Sequence, residues 1–230
     1  MDKEQRVHNV FENISQDYDK MNDIISFGRH RKWKEELIED ISAAKPKTIL
    51  DLCCGTGDIS LALAQMNPSA KVTGADFSAN MLKVAKERQK KANLDNIDFQ
   101  EGNAMALDFP DNSFDCAVIS FGLRNVADYG KVLSEMRRVV REGSPVYCLD
   151  SSYPHSPVIK PLFKLYFKFI MPSLGKIFSK HKEEYKWLNE STEAFLSKPE
   201  LAALMREVGF KNVKYKSYMF GSAARHWGYK

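Results

Sequence analysis

Cysteine is scarce in this chain: four occur in 230 residues, and no two stand in the Cys-x-x-Cys spacing of zinc and redox sites. Cys53 and Cys54 are neighbours in a turn, while Cys116 and Cys148 fall in apparent strands, which reads as small buried thiols in a reducing compartment. No metal is expected. Long apolar runs are missing as well, because lysines interrupt each one well short of the roughly twenty residues a bilayer-spanning helix requires. No signal-peptide pattern is visible, so a cytoplasmic location is expected. Charge of one sign is not in large excess either: 34 Lys and Arg face 30 Asp and Glu, and the basic residues are scattered except at 160–182. A balance of that size demands no nucleic-acid partner. Internal repeats and low-complexity linkers are absent, and the length suits one α/β domain with a substantial core.

What is present begins at Ile49-Leu50-Asp51-Leu52-Cys53-Cys54-Gly55-Thr56-Gly57, where an apolar strand ends in an acid and runs into a glycine turn that opens a helix. The third small residue of a dinucleotide fingerprint would fall three positions past Gly57, and Ser60 stands there, so the turn suits a nucleoside cofactor without a pyrophosphate. S-adenosylmethionine fits. Its carboxylate can sit on bare amides at a helix N-terminus, where the macrodipole favours negative charge, and Gly55 and Gly57 let the backbone approach. Asp51 closes the strand beneath them. Twenty-five residues further, a second strand ends in Asp76-Phe77-Ser78; a carboxylate there is placed to accept hydrogen bonds from a ribose diol. Ser78 reads as an N-cap, and Met81 on the first turn of its helix suits either an adenine face or the core.

Apolar runs alternate with amphipathic segments in a βαβ rhythm, which predicts a parallel sheet. Strands are expected near 47–51, 71–76, 97–101, 114–120 and 145–150, with helices near 58–66, 79–92 and 129–141 between them. Asp58 reads as the N-cap of the first of these helices. Ser197-Lys198-Pro199-Glu200 is a capped start for a helix to about residue 208, stopped by Gly209; 212–220 and 222–227 then read as a closing hairpin. The cofactor belongs at the carboxyl ends of the early strands, where strand order reverses. Asn103 and Ala104 follow the third strand and can read an adenine edge, or Asn103 can simply close a turn. Ser120 ends the fourth strand, where its hydroxyl can touch the methionine moiety or bond its own loop.

The long run Tyr18-Asp19-Lys20-Met21-Asn22-Asp23-Ile24-Ile25-Ser26-Phe27-Gly28-Arg29-His30-Arg31-Lys32-Trp33 resembles a signature of the ubiquinone/menaquinone biosynthesis C-methyltransferase family. Phe121-Gly122-Leu123-Arg124-Asn125-Val126 and the ending Ala224-Arg225-His226-Trp227-Gly228-Tyr229-Lys230 are similar to further blocks of that family. The resemblance implies a Rossmann-like class I methyltransferase fold: a mostly parallel seven-stranded sheet with helices on both faces. It divides one domain, 1–230, into an N-terminal helical cover (1–45), a cofactor-binding core (46–152), a helical lid insertion (153–195) and a C-terminal helix with a β-hairpin (196–230). It also makes Thr56, Asp76, Asn103, Ala104 and Ser120 the positions matching family cofactor contacts. The chain departs from the family at Arg141-Glu142-Gly143-Ser144, where Lys-Pro-Gly-Gly is usual, and at Asp150, where a strand ordinarily ends in Glu.

The implied reaction is methyl transfer from S-adenosylmethionine to a ring carbon of demethylmenaquinol, with a prenylated benzoquinol of ubiquinone synthesis as a further substrate. A phenol, with a pKa of about 10, is a weak carbon nucleophile until deprotonated, so a base or bridging water must help. Arg124 and Asn125 follow strand four and are assigned to polarising the quinol oxygen; Asp150 is expected near the ring. Tyr18, Asp19 and His30 belong to the cover, and His30, like His226, is either a proton-handling group or a packed histidine. The segment 158–182 carries Lys160, Lys164 and Lys168 on one helical stripe among aromatic residues. That suits contact with an anionic membrane surface, or a lid helix with its lysines in water. Oligomerisation is compatible with the sequence. The alternatives are methylation of another small molecule, RNA or protein, or cofactor binding without transfer; a flipped base would want an Asn-Pro-Pro-Tyr-type motif where the chain has Ser120-Phe121-Gly122-Leu123.

Overall fold

The computed structural model describes residues 28–152 and 182–230, together with Val7, Asp23, Ser26 and Leu165. Alternation of apolar residues with period two separates two cores across one sheet. In β1 (Thr48–Leu52), Leu50 and Leu52 face one side while Ile49 faces the other; in β4 (Cys116–Ser120), Ala117 and Ile119 oppose Cys116 and Val118. Both strands are buried on both faces, as expected of the centre of a parallel sheet. Around them lie β2 (Lys71–Asp76), β3 (Ile97–Glu101), β5 (Pro145–Ser151), β6 (Lys211–Tyr218) and β7 (Ala223–Tyr229). The order is β3-β2-β1-β4-β5-β7-β6, with β7 antiparallel to both of its neighbours and the other pairings parallel. The direction of winding therefore reverses between β1 and β4, leaving a crevice at their carboxyl ends.

Six α-helices occur among the described residues: α1 (Arg29–Ala43), α2 (Asp58–Met66), α3 (Ala79–Ala92), α4 (Tyr129–Val139), α5 (Lys182–Ala194) and α6 (Lys198–Glu207). Leu37 and Ile41 of α1, Leu63 of α2 and Ala85 of α3 fill one core, and Leu133 and Met136 of α4 with Leu201 and Met205 of α6 fill the other. Helix starts follow local chemistry. Ser78 accepts from the Met81 amide at 3.2 Å, Asp128 caps α4, and Ser197 and Glu200 close a reciprocal capping box on α6. The starts of α1 and α2 are exceptions: their cap residues are Gly28 and Gly57, with no side-chain cap. Asp58 is the first helical residue rather than the cap, and its carboxylate pairs with Lys34 of α1.

The altered turn 141–144 lies at the amino end of β5, the end of the sheet away from the crevice. Arg141 pairs with Asp115 and donates to Thr48 Oγ1 at 2.9 Å, the Gly143 amide donates to the Lys230 carbonyl, and Lys230 Nζ donates to the Arg138 and Val140 carbonyls. The lysine stripe at 160–168 and residues Tyr18 and Asp19 lie outside the described residues.

His226 is no proton-handling group at the crevice. It sits on β7, 2% exposed, its Nε2–H donating to the Lys198 carbonyl at 2.9 Å, and its Nδ1 has no hydrogen-bond partner among the described residues. Burial pushes its pKa from 6.5 down to about 4, only partly opposed by the Lys198 carbonyl. Between those values the unfolded chain takes a proton that the folded chain refuses, so stability falls as pH drops through this window, by up to about 3 kcal/mol. Urea midpoints followed from pH 7 to pH 4 should fall less steeply in His226→Gln than in the parent; parallel curves would exclude this origin.

Candidate cofactor and active site

A cavity of about 360 Å³ opens at the carboxyl ends of β1 to β4. Its floor is the first glycine turn, with Leu52, Cys53 and Gly55; Ala75, Asp76 and Phe77 come from β2 and Met81 from α3. Gly102, Asn103 and Ala104 follow β3, and Ser120, Phe121, Gly122 and Asn125 follow β4. Val7 of the N-terminal segment also reaches it.

Asp76 joins the two turns. Its Oδ2 accepts from the Gly55 amide at 2.8 Å and its Oδ1 from the Ser78 amide at 2.9 Å. An ionised carboxylate has about four lone-pair sites, so it can serve several donors at once. The turn itself is shaped by positive φ: 54° at Cys53, 56° at Gly55 and 79° at Gly57. A Cβ on Gly57 would also lie 2.8 Å from Phe99 Cζ and 3.0 Å from Ala85 Cβ. Gly57→Ala should therefore lower stability by about 1–3 kcal/mol and weaken cofactor binding with it; a variant that melts with the parent and binds equally would contradict this packing. Gly122 is constrained from the other side, because a Cβ there would meet Cys53 Cβ at 2.5 Å.

Three residues expected at the cofactor lie under the turn and do not line the cavity. Asp51 is 1% exposed and bonded to the Ser60 hydroxyl; burial raises its pKa to about 7 against that bond. The Thr56 hydroxyl accepts from Arg88 at 3.1 Å. Gly57 faces Phe99. These three stand behind the turn that the cavity faces. Met81 is buried, 1% exposed, and lines the cavity, whereas Leu82 belongs to the core. Asn103 Oδ1 accepts from the Met105 amide at 2.9 Å and so closes its turn, leaving Nδ2 as the end that can meet a ligand. Ser120 Oγ is buried without a hydrogen-bond partner among the described residues, at the cavity wall. A buried hydroxyl left this way costs about 1–3 kcal/mol, which a ligand's polar group would recover. That orphan, the backbone cradle at Gly55 and the carboxylate of Asp76 together fit an adenosyl group bearing an amino acid.

The proposed catalytic residues divide. Asn125 lines the cavity. Arg124 and Asp150 do not: their side chains are 5% and 2% exposed, with Nη1 to Oδ1 at 2.5 Å, and Asp150 Oδ2 also accepts from the Arg124 amide. The guanidinium donates to the Phe121 carbonyl at 2.9 Å, so the pair holds the turn Leu123–Asn125 from behind instead of touching a substrate directly. His30 is buried on α1 with Nδ1 2.7 Å from Ser26 Oγ, and burial, then the neighbouring Lys34, lower its pKa; it too stands outside the cavity wall. Sequence reasoning missed Cys53 and Gly122, although both stand in quoted motifs, because their mutual contact is between separate turns. It also missed Trp187 of α5, which carries no motif and donates its indole N–H to Asn125 Oδ1 at 3.0 Å.

A family model described as the ubiE/COQ5 methyltransferase family matches residues 1–230. A demethylmenaquinone methyltransferase of Geobacillus kaustophilus is 51% identical over 229 residues, 99% of this chain and 98% of that one. One from Staphylococcus aureus strain Newman is 50% identical over 227 residues, covering 98% of this chain and 93% of the relative. Among solved structures, a methyltransferase from Thermotoga maritima superimposes with a TM-score of 0.66 at 19% identity, covering 97% of this chain and 99% of the other. A Haemonchus contortus phosphoethanolamine N-methyltransferase 2 does so with a TM-score of 0.61 at 15% identity, over 80% of this chain and 48% of that one. At such identities these two structures establish the fold alone, a class I methyltransferase sheet.

Proposed function

We propose, from the premise that this chain belongs to the ubiE/COQ5 methyltransferase family, that it methylates a ring carbon of demethylmenaquinol to give menaquinol. It is an S-adenosylmethionine-dependent methyltransferase. The observation that carries the substrate reading is likeness over almost the entire length, at half identity, to enzymes named for that activity. When bound, S-adenosylmethionine supplies an electrophilic methyl carbon on a sulfonium.

The chain's own contribution is binding, orientation and exclusion of water. Asp76 is set to hold a ribose diol, Ser120 to meet the methionine end, and Met81 and Phe77 to flank the base. On the far wall, Asn125 is placed to donate to a ring oxygen as it gains negative charge, which matters because an unperturbed phenol is neutral at pH 7. Arg124 and Asp150, paired with one another, hold the turn that carries Asn125. Alignment of reacting groups in a dry pocket can contribute roughly 7–11 kcal/mol, more than a single polar contact supplies.

We further place the enzyme in the cytoplasm, against the inner face of the membrane that holds prenylated quinols. Supporting this, the turn Met219–Gly221 between β6 and β7 lies at the same end of the sheet as the cavity, and Phe220 on it is 80% exposed. Lys214 and Lys216 of β6, which leads into that turn, are exposed, and this suits an anionic surface. Incubation with labelled cofactor and a reduced demethylated naphthoquinol should place label on the quinone; label on RNA or protein, or on nothing, would refute the substrate. Cosedimentation with vesicles of anionic phospholipid should drop in Phe220→Ser, and retention equal to the parent would remove that turn from the contact.

A further inference from the structure

Asn125 is held at both ends of its amide. Its Oδ1 lies 3.0 Å from Trp187 Nε1, and its Nδ2 lies 3.2 Å from the Phe121 carbonyl. An indole nitrogen can only donate and a backbone carbonyl can only accept. Both contacts therefore fix the amide the same way round: turned over, it would set N–H against N–H and carbonyl against carbonyl. Trp187 and Asn125 are each 8% exposed, so water cannot readily repair such a mismatch. The amide nitrogen carries two hydrogens, and the Phe121 carbonyl takes one of them. Among the described residues the other has no partner and is left for the cavity that Asn125 lines.

We propose that Trp187 is a positioning residue that fixes the polarity of the cavity wall at Asn125, making it a hydrogen-bond donor that takes an acceptor oxygen of the substrate, best an ionised ring hydroxyl. This rests on the quinol reading above. It brings α5, from the segment expected as a lid, into the reaction: its indole decides which end of Asn125 the substrate meets. The neighbouring contact of Ser151 Oγ with Thr192 Oγ1 at 3.2 Å ties the same helix to the end of β5. A donor wall favours the ionised acceptor over its neutral form and disfavours a substrate that presents only N–H or O–H there.

The test compares the parent with Trp187→Phe, Asn125→Ala and the double variant. Each single change should lower kcat about tenfold, as loss of one buried hydrogen bond does, while cofactor affinity stays within about threefold. If Trp187 acts through Asn125, the double variant is no slower than Asn125→Ala, and the rising limb of the kcat against pH profile moves to higher pH in Trp187→Phe. Multiplying losses, or an unmoved profile, would overturn the proposal. A reading independent of turnover uses 1-naphthol added to protein saturated with S-adenosylhomocysteine, watching the Asn125 side-chain amide by nitrogen-proton NMR. The resonance should shift in the parent and stay still in Trp187→Phe; should that variant not fold, the parent's Asn125 amide and Trp187 indole must shift together, and silence of either defeats the idea. Failure of the parent to methylate any naphthoquinol would instead strike the substrate reading.

Discussion

Arg124→Ala should unfold this protein about 6–20 °C earlier than the parent. The reason is Asp150, whose carboxylate is 2% exposed and bonded to the guanidinium at 2.5 Å. Removing one partner of a buried pair leaves an uncompensated charge, at a cost of about 3–5 kcal/mol, and a domain of this size loses about 2–4 °C per kcal/mol. The Phe121 carbonyl loses a donor at the same time, so the cavity wall at Phe121 and Asn125 should loosen and turnover fall. Replacing both charges with apolar residues should recover much of the stability but not the turnover, because no unpaired buried charge remains while the donor to the Phe121 carbonyl that holds the turn does not return. Thermal melts of the single and double variants decide this: a single variant melting with the parent would mean that Asp150 is not held as described.

Asp76→Ala should raise the Kd for S-adenosylmethionine about ten- to a hundred-fold or more. Each charge-assisted hydrogen bond lost from a ligand corresponds to about 1.5–3 kcal/mol, and 1.4 kcal/mol is tenfold in affinity. The carboxylate also holds the Gly55 and Ser78 amides, so part of the loss would come from the glycine turn rather than from direct contact. Asp76→Asn separates the two, since an amide oxygen can still accept from one backbone N–H but carries no charge. Calorimetry giving parental affinity for both variants would take the ribose away from Asp76.

Much of the fold is legible in local pattern. Strands at 71–76 and 97–101 and helices at 58–66 and 79–92 coincide with β2, β3, α2 and α3, because period-two and period-3.6 apolar spacing is set by neighbours in the chain. The capping box at Ser197 and Glu200 and the turn at Gly55 are equally local. Helix α4 ends at Val139, two residues before the expected stop, where the backbone turns extended at Val140.

Proton handling was the least legible part. Candidate histidines and carboxylates can be named from residue type, but their exposure decides what they can do, and His30, His226 and Asp150 all prove buried behind other elements. Asp51 is held by Ser60, nine residues on, a pairing that helix periodicity could have suggested once the turn was fixed.

By itself the sequence determined where the strands, helices and glycine turns of the parallel part fall along the chain, since those follow from spacing and turn chemistry within a few residues. Only the tertiary structure decided which side chains face the substrate. Arg124 meets Asp150 across 26 positions and Asn125 meets Trp187 across 62. Such contacts come from strands and helices brought together by burial of apolar area, a non-directional force that leaves no periodic trace of which polar groups will be opposed.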